Sequence, residues 1–163
     1  TLAVQMVACV QYLHSKDFLH RDIKPNNFTM GIGHEASQVK IIDFGLGKPF
    51  RDIKGLHYPP ATGVCFVGTL RYASIRAHLR HEQSRRDDMH SLGYVFAYFL
   101  RGRLPWQGID APTKEERRAE ILRAKKNTPP PLLFDGQPRQ FLSYMYKVFE
   151  LGHFQDPPYE QLR

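Results

Sequence analysis

The sequence predicts a mostly α, α+β unit, on three observations: long helical stretches with apolar residues every three or four positions, one short pair of apolar strands, and no internal repeat or low-complexity linker. At 163 residues, 42% hydrophobic and 24% charged, the chain can bury a real core and is not a disordered tail. Its two cysteines, Cys9 and Cys65, lie far apart and outside any C-x-x-C pair. That excludes a disulfide framework and a thiolate zinc site, and it points to a reducing, intracellular compartment, cytoplasm or nucleus.

Leu2, Met6, Cys9 or Val10, and Leu13 place one buried stripe on a helix over residues 1–15. That helix is expected to start without a cap, as if continuing from an upstream segment. Next come Asn27 to Met30 and Val39 to Ile42, flanking a glycine-containing connection, which is a hairpin signal. Antiparallel pairing would bring Asn27 and Asp43 together at one end. Residues 44–80, rich in Gly, Pro and Arg, read as a long functional loop.

Asp88 is expected to open an apolar helix over Met89 to Leu100; its stretch from Leu92 is about half of the roughly 20 residues a membrane span needs. Thr113 to Glu116 has capping-box spacing before a helix to Ala124, with acids early and Arg123, Lys125 and Lys126 late. Pro129 to Pro131 are a rigid stop. A last long helix over Arg139 to Leu151 carries Phe141, Leu142, Met145 and Val148 or Phe149 on one face, and another begins near the final residue.

Twenty-three Lys and Arg against 16 Asp and Glu give a net charge of +7, a field that favours phosphate-bearing or acidic partners. The cations are scattered, with neither an aromatic-interleaved platform nor zinc-finger spacing, so nucleic acid is not the expected partner.

The chemistry-bearing pattern is His20-Arg21-Asp22-Ile23-Lys24-Pro25-Asn26-Asn27, which fits H-R-D-x-x-x-x-N, followed sixteen residues beyond Asn27 by Asp43-Phe44-Gly45. Singly, each residue has an ordinary reading: Asp22 in a turn, Lys24 solvated, Asn27 capping a strand end, Asp43 in an Asx turn before Gly45. In this order, joined by a hairpin, they resemble the C-terminal, large lobe of a eukaryotic protein kinase. Such a site must align a hydroxyl with the terminal phosphate of a nucleotide and neutralise charge. Asp22 would accept the hydroxyl proton and Lys24 would steady the phosphate. Asn27 and Asp43 offer oxygen ligands suited to Mg²⁺.

Gly68-Thr69-Leu70-Arg71-Tyr72-Ala73-Ser74-Ile75, Glu82-Gln83-Ser84-Arg85-Arg86-Asp87-Asp88, Ser91-Leu92-Gly93-Tyr94 and Leu104-Pro105-Trp106-Gln107-Gly108 are similar to the casein kinase I family, and the resemblance runs over residues 1–163. It implies a partial protein kinase catalytic domain, with the N-terminal lobe and its Gly-rich loop, strand lysine and glutamate absent from this chain, and the closing helix absent at the other end. It implies serine/threonine phosphorylation with ATP and Mg²⁺, Thr69 bridging Asp22 and Lys24. Asp88 would anchor the catalytic loop backbone, or serve as a plain helix N-cap. Arg71 and Arg117 fall where the family holds an acidic or phosphorylated substrate residue, and guanidinium forks suit that task; otherwise they are two exposed arginines. Arg21 has a structural reading too, as a tie to the following segment. Without the upstream parts the chain is expected to be weakly active or inactive alone, and the rival reading is a scaffold that docks acidic partners without turnover.

Departures from the family are Gly47 for alanine, Asn26 for an acid and His90 for glutamate, none a phosphoryl-transfer group. The segment from Ile53 to Val67, with Pro59-Pro60 and Cys65, departs most, which bears on substrate preference.

Overall fold

Helix α1 (Leu2–His14) of the computed structural model, which describes residues 1–163, turns Met6, Val7, Val10 and His14 inward, the stripe its periodicity predicts. It is capped, contrary to expectation: Thr1 accepts from the Val4 amide at 3.5 Å. The expected hairpin forms from β2 (Phe28–Met30) and β3 (Val39–Ile41), antiparallel with Phe28 opposite Ile41. α1 packs along β3, and the Cys9 thiol donates to the Val39 carbonyl at 3.3 Å.

Residues 44–80 carry more structure than a plain loop. A second small sheet pairs β1 (Phe18–Leu19) with β4 (Lys48–Pro49), and α2 (Ile75–His78) is capped by Ser74, which accepts from the Ala77 amide at 3.0 Å. Two-residue strands fall below what periodicity can detect, since alternation needs four or more residues. The pairing explains Gly47: a Cβ there would overlap the Phe18 ring.

Helix α3 (Arg85–Arg101) is the centre of the core, with Met89, Leu92, Val95 and Ala97 wholly enclosed. It begins three residues before the expected Asp88. Ser84 is its cap, and Asp87 closes the capping box by accepting from the Ser84 amide at 2.8 Å, so Asp88 lies inside the helix and is not its N-cap. α4 (Lys114–Lys126) has the capping box expected of Thr113 and Glu116. The prolines after it do more than stop the chain: Pro130 opens a short helix, α5 (Pro130–Leu133), where a missing N–H costs nothing.

α6 (Arg139–Glu150) lies on α3 through Tyr144, Met145 and Val148, and the Tyr144 hydroxyl donates to the Met89 carbonyl at 2.8 Å. α7 (Tyr159–Leu162) returns to α1. No helix is long and apolar enough to cross a membrane.

His90, which stands where the resemblance expects glutamate, is fully enclosed between the rings of Tyr94 and Phe149, at centroid distances of 4.8 and 4.4 Å. Neither ring nitrogen has a hydrogen-bond partner. Burial, then the fields of Lys125, Arg76 and Arg86, hold its pKa well below the usual value. The folded protein therefore keeps His90 neutral while the unfolded chain binds a proton below about pH 6.5, so stability falls as pH drops from 7 to 5. Replacing the orphaned imidazole with an apolar ring, His90→Phe, should remove about 2 kcal/mol of the destabilisation at pH 5. Thermal melts of both proteins at pH 5 and 7 test this; an unchanged pH dependence in the variant contradicts it.

Candidate active site

The geometry begins with Asp88, one turn into α3 and 2% exposed. Its carboxylate accepts the amides of His20 at 2.8 Å and Arg21 at 2.9 Å, and meets the His14 ring of α1 at 2.9 Å. Burial alone would raise its pKa, but the hydrogen bonds and charge of His14 and the two amides outweigh that and hold it below the usual carboxylate range. The residues after β1 are thereby fixed to two helices. Arg21 is held in a left-handed conformation, φ 63°, that a side chain rarely adopts unless its surroundings impose it.

His20 continues the tie. Its Nδ1 accepts from the Asp22 amide at 3.2 Å, which leaves the proton on Nε2, 3.0 Å from the Ile42 carbonyl. One neutral ring thus links the Asp22 backbone to the residue before Asp43. The Phe44 ring packs on it at 5.6 Å, and Arg21 Nε donates to the Leu46 carbonyl at 2.7 Å, the structural tie considered for it.

Asp22 is 6% exposed and held from both sides. Lys24 Nζ donates to its Oδ2 at 2.6 Å, and Thr69 Oγ1 donates to its Oδ1 at 2.6 Å. Each carboxylate oxygen keeps a further lone-pair direction, so the group is oriented without being saturated. Thr69 reaches it because Gly68 adopts φ 118° and passes close under the chain; a Cβ there would lie 2.7 Å from the Arg21 carbonyl oxygen. Only glycine takes both constraints without strain.

Asn27 is buried at the end of a 3₁₀ turn (Pro25–Asn27), and its Nδ2 donates to the Asp22 carbonyl at 2.9 Å, which leaves the amide oxygen free. The hairpin seats it beside Asp43 as its register requires: the Ile42 amide donates to the Asn27 carbonyl at 2.9 Å. Asp43 is exposed, at φ 66°, and takes the Gly45 amide at 3.3 Å in the Asx turn weighed above. No three or more His, Cys, Asp and Glu side chains gather into a metal cage. A carboxylate and an amide oxygen at the open end of a hairpin suit Mg²⁺, which is commonly held by one or two carboxylates together with water and substrate phosphates.

A cleft of about 480 Å³ opens beside this centre, lined by Lys24, Thr69, Arg71, Gly108, Arg117 and Ile121 among others. Both predicted arginines thus face the space that Lys24 reaches. Arg117 donates from Nε to the Ile109 carbonyl at 3.1 Å, which leaves its outer nitrogens free, and Arg71 lies near the Tyr72 ring at 5.9 Å.

The sequence marks Lys125 only as a late-helix cation and Trp106 only as part of a motif; in the structure Trp106 lines that cleft and Lys125 lies buried beneath residues 70–73. The wholly buried Lys125 ammonium donates to the Leu70 and Ala73 carbonyls at 2.8 and 2.6 Å and meets His78 Nε2 at 3.1 Å, lying over the rings of Tyr94 and Trp106. Burial pushes its pKa well below the ordinary value. Trp106 Nε1 donates to the carbonyl of Arg71 at 2.7 Å. Three carbonyls of residues 70–73 are therefore held from outside the loop. The available signal was helical spacing, since Arg117, Ile121 and Lys125 share one face of α4.

The family model of the protein kinase domain matches residues 1–150, and the chain belongs to the protein kinase family. Members of that family transfer a phosphoryl group to protein substrates and generally use ATP and Mg²⁺.

Asp88→Asn would point an amide N–H₂ at backbone donors and leave at least one buried amide unpaired. It should cost about 3 kcal/mol of stability, read as a shifted urea midpoint; a loss below about 1 kcal/mol would contradict the anchoring role.

Proposed function

We propose that this chain is the C-terminal lobe of a casein kinase I-like serine/threonine kinase, which phosphorylates Ser or Thr in acidic or already phosphorylated protein segments. The observation that carries the reading is the double hold on Asp22 by Lys24 and Thr69, at the mouth of a cleft that also contains Arg71 and Arg117. A tyrosine kinase site would not be expected to carry the lysine two residues after the base.

Asp22 accepts the proton of the incoming hydroxyl, oriented by its two hydrogen bonds. Lys24 faces the cleft and offers positive charge to the transferring phosphoryl oxygens. Asn27 and Asp43 would hold Mg²⁺, which supplies charge neutralisation at the nucleotide phosphates. Arg71 and Arg117 receive an acidic or phosphorylated residue N-terminal to the target, through guanidinium forks that match a carboxylate or phosphate.

The test uses the full-length polypeptide containing this chain, with ATP, Mg²⁺ and a serine peptide carrying one phosphoserine on its N-terminal side. Asp22→Asn should lower kcat by about 10³-fold or more with little change in peptide affinity. Arg71→Gln should raise KM for the phosphorylated peptide about tenfold and leave kcat for an unphosphorylated peptide nearly unaltered. Phosphopeptide binding without any transfer would replace the kinase reading with that of a docking scaffold, and transfer indifferent to Asp22→Asn would overturn the assignment of the base.

A further inference from the structure

A second cleft, of about 380 Å³, opens on the other side of Leu70 and is lined by Cys65, Phe66, Leu70, Arg80, Lys114, Glu115 and Arg118. Leu70 is common to both clefts. α4 supplies cations to each: Arg117 faces the first, while Lys114 and Arg118, four residues apart and so on one face, line the second.

The three cations of this second cleft make no ion pair and no side-chain hydrogen bond. Eight of the 23 lysines and arginines are ion-paired, among them Lys48 with Glu82, Arg51 with Asp17 and Arg85 with Asp156; what sets this trio apart is that all three line one concave site. Glu115 is the one carboxylate in the lining; it lies in the first turn of α4, where the helix dipole favours it, and engages none of the three.

The backbone of Arg80, on another part of the lining, is fixed by hydrogen bonds. Its amide donates to the Ala77 carbonyl at 3.0 Å and its own carbonyl accepts from the Val64 amide at 3.1 Å, with φ at 60°. The same strip of chain pairs Thr62 with His81, and the Glu82 amide donates to Ala61. Residues 61–66 are therefore zipped against 80–82, and Phe66 packs on His78, whose imidazole meets the buried Lys125 ammonium. Residues 61–66 belong to the segment, Ile53 to Val67, in which the sequence departs most from the casein kinase I pattern.

We propose that this cleft is a second anion subsite, which receives another phosphorylated or acidic residue of the same substrate, further N-terminal than the one held by Arg71 and Arg117. The inference rests on the functional reading above, which supplies the substrate path through the first cleft. Two features commit it to the same peptide and not to a separate partner: the clefts adjoin at one shared side chain, and a single helix arms both. Arg118 and Arg80 offer planar guanidinium forks to the anion and Lys114 a point charge.

The experiment measures binding to the full-length polypeptide by fluorescence anisotropy, using a serine peptide with one phosphoserine upstream and a series carrying a second one three to eight residues further upstream. At least one doubly phosphorylated peptide should bind about tenfold tighter than the single, with a gain that shrinks at high salt. K114Q/R118Q should erase the gain.

Arg80→Gly is the sharper variant. Glycine suits the left-handed backbone, so thermal stability should hold or rise while the gain falls; a structural role for Arg80 would move the two together. Equal affinity for all peptides, with Arg71 still required, would overturn the second subsite alone. A gain that survives both variants would also overturn it. Binding of the single phosphopeptide that ignores Arg71 and Arg117 would overturn the functional reading on which the subsite rests.

Discussion

The buried carboxylate of Asp88 is the constraint on which the site depends. It sits in the first turns of the central helix, yet its bonds go outward, to the His14 ring on α1 and to two consecutive amides after β1. A carboxylate can accept all of them because it carries four lone-pair directions and no proton to misplace. Ionisation is what makes the cluster favourable, so desolvation and hydrogen bonding oppose each other and the second prevails. Fixing the amides of His20 and Arg21 fixes the Asp22 backbone, which is one residue away. His20 then passes the constraint through its neutral ring to Ile42 and so to Asp43. The proposed base and one candidate metal ligand are thus registered by a single buried charge.

The substrate side is organised differently, by a helix whose faces do separate jobs. One face of α4 puts Arg117 into the first cleft, Ile121 into the core and Lys125 beneath the loop. A lysine is an odd choice for an enclosed position with no carboxylate, since transfer of an ammonium from water is expensive. Its bonds to two carbonyls and its place over two aromatic rings recover part of that, and the long side chain of lysine reaches these acceptors from α4. The result is a rigid 70–73 segment, which holds Arg71 ready for a ligand without ordering a loop on binding.

Much of this was legible in the residues. The Asn27 to Asp43 hairpin followed from two apolar runs and a glycine connection, and its register alone put the two oxygen donors side by side. The capping box of α4 and the buried stripe of α1 were equally plain, because each is a local pattern with a local cause. What escaped was set by tertiary contact. Two-residue strands such as β1 and β4 carry no periodicity, and they exist only because the chain on either side is anchored. Asp88 looked like a cap because it precedes an apolar run; the three residues before it are helical since Ser84 and Asp87 supply the box. Lys125 read as a dipole-complementing residue near a helix end, and nothing in its immediate neighbours shows that its side chain goes inward. The cleft that joins Lys24 to Arg71 and Arg117 needs three distant segments, so spacing could name its residues but not bring them together.

A net charge of +7 would draw any polyanion toward this surface, but beyond about 8 Å such a field is screened at physiological salt. On the proposed function, discrimination comes from cations at short range, in the clefts on either side of Leu70. Around Leu70, Arg71 hangs from a carbonyl-clamped segment, Arg117 is exposed with its outer nitrogens free, and Arg80, also exposed, has its backbone pinned by its own bonds. On the proposed function the counter-charge to these cations arrives with the substrate, so that binding and the relief of their mutual repulsion are one event.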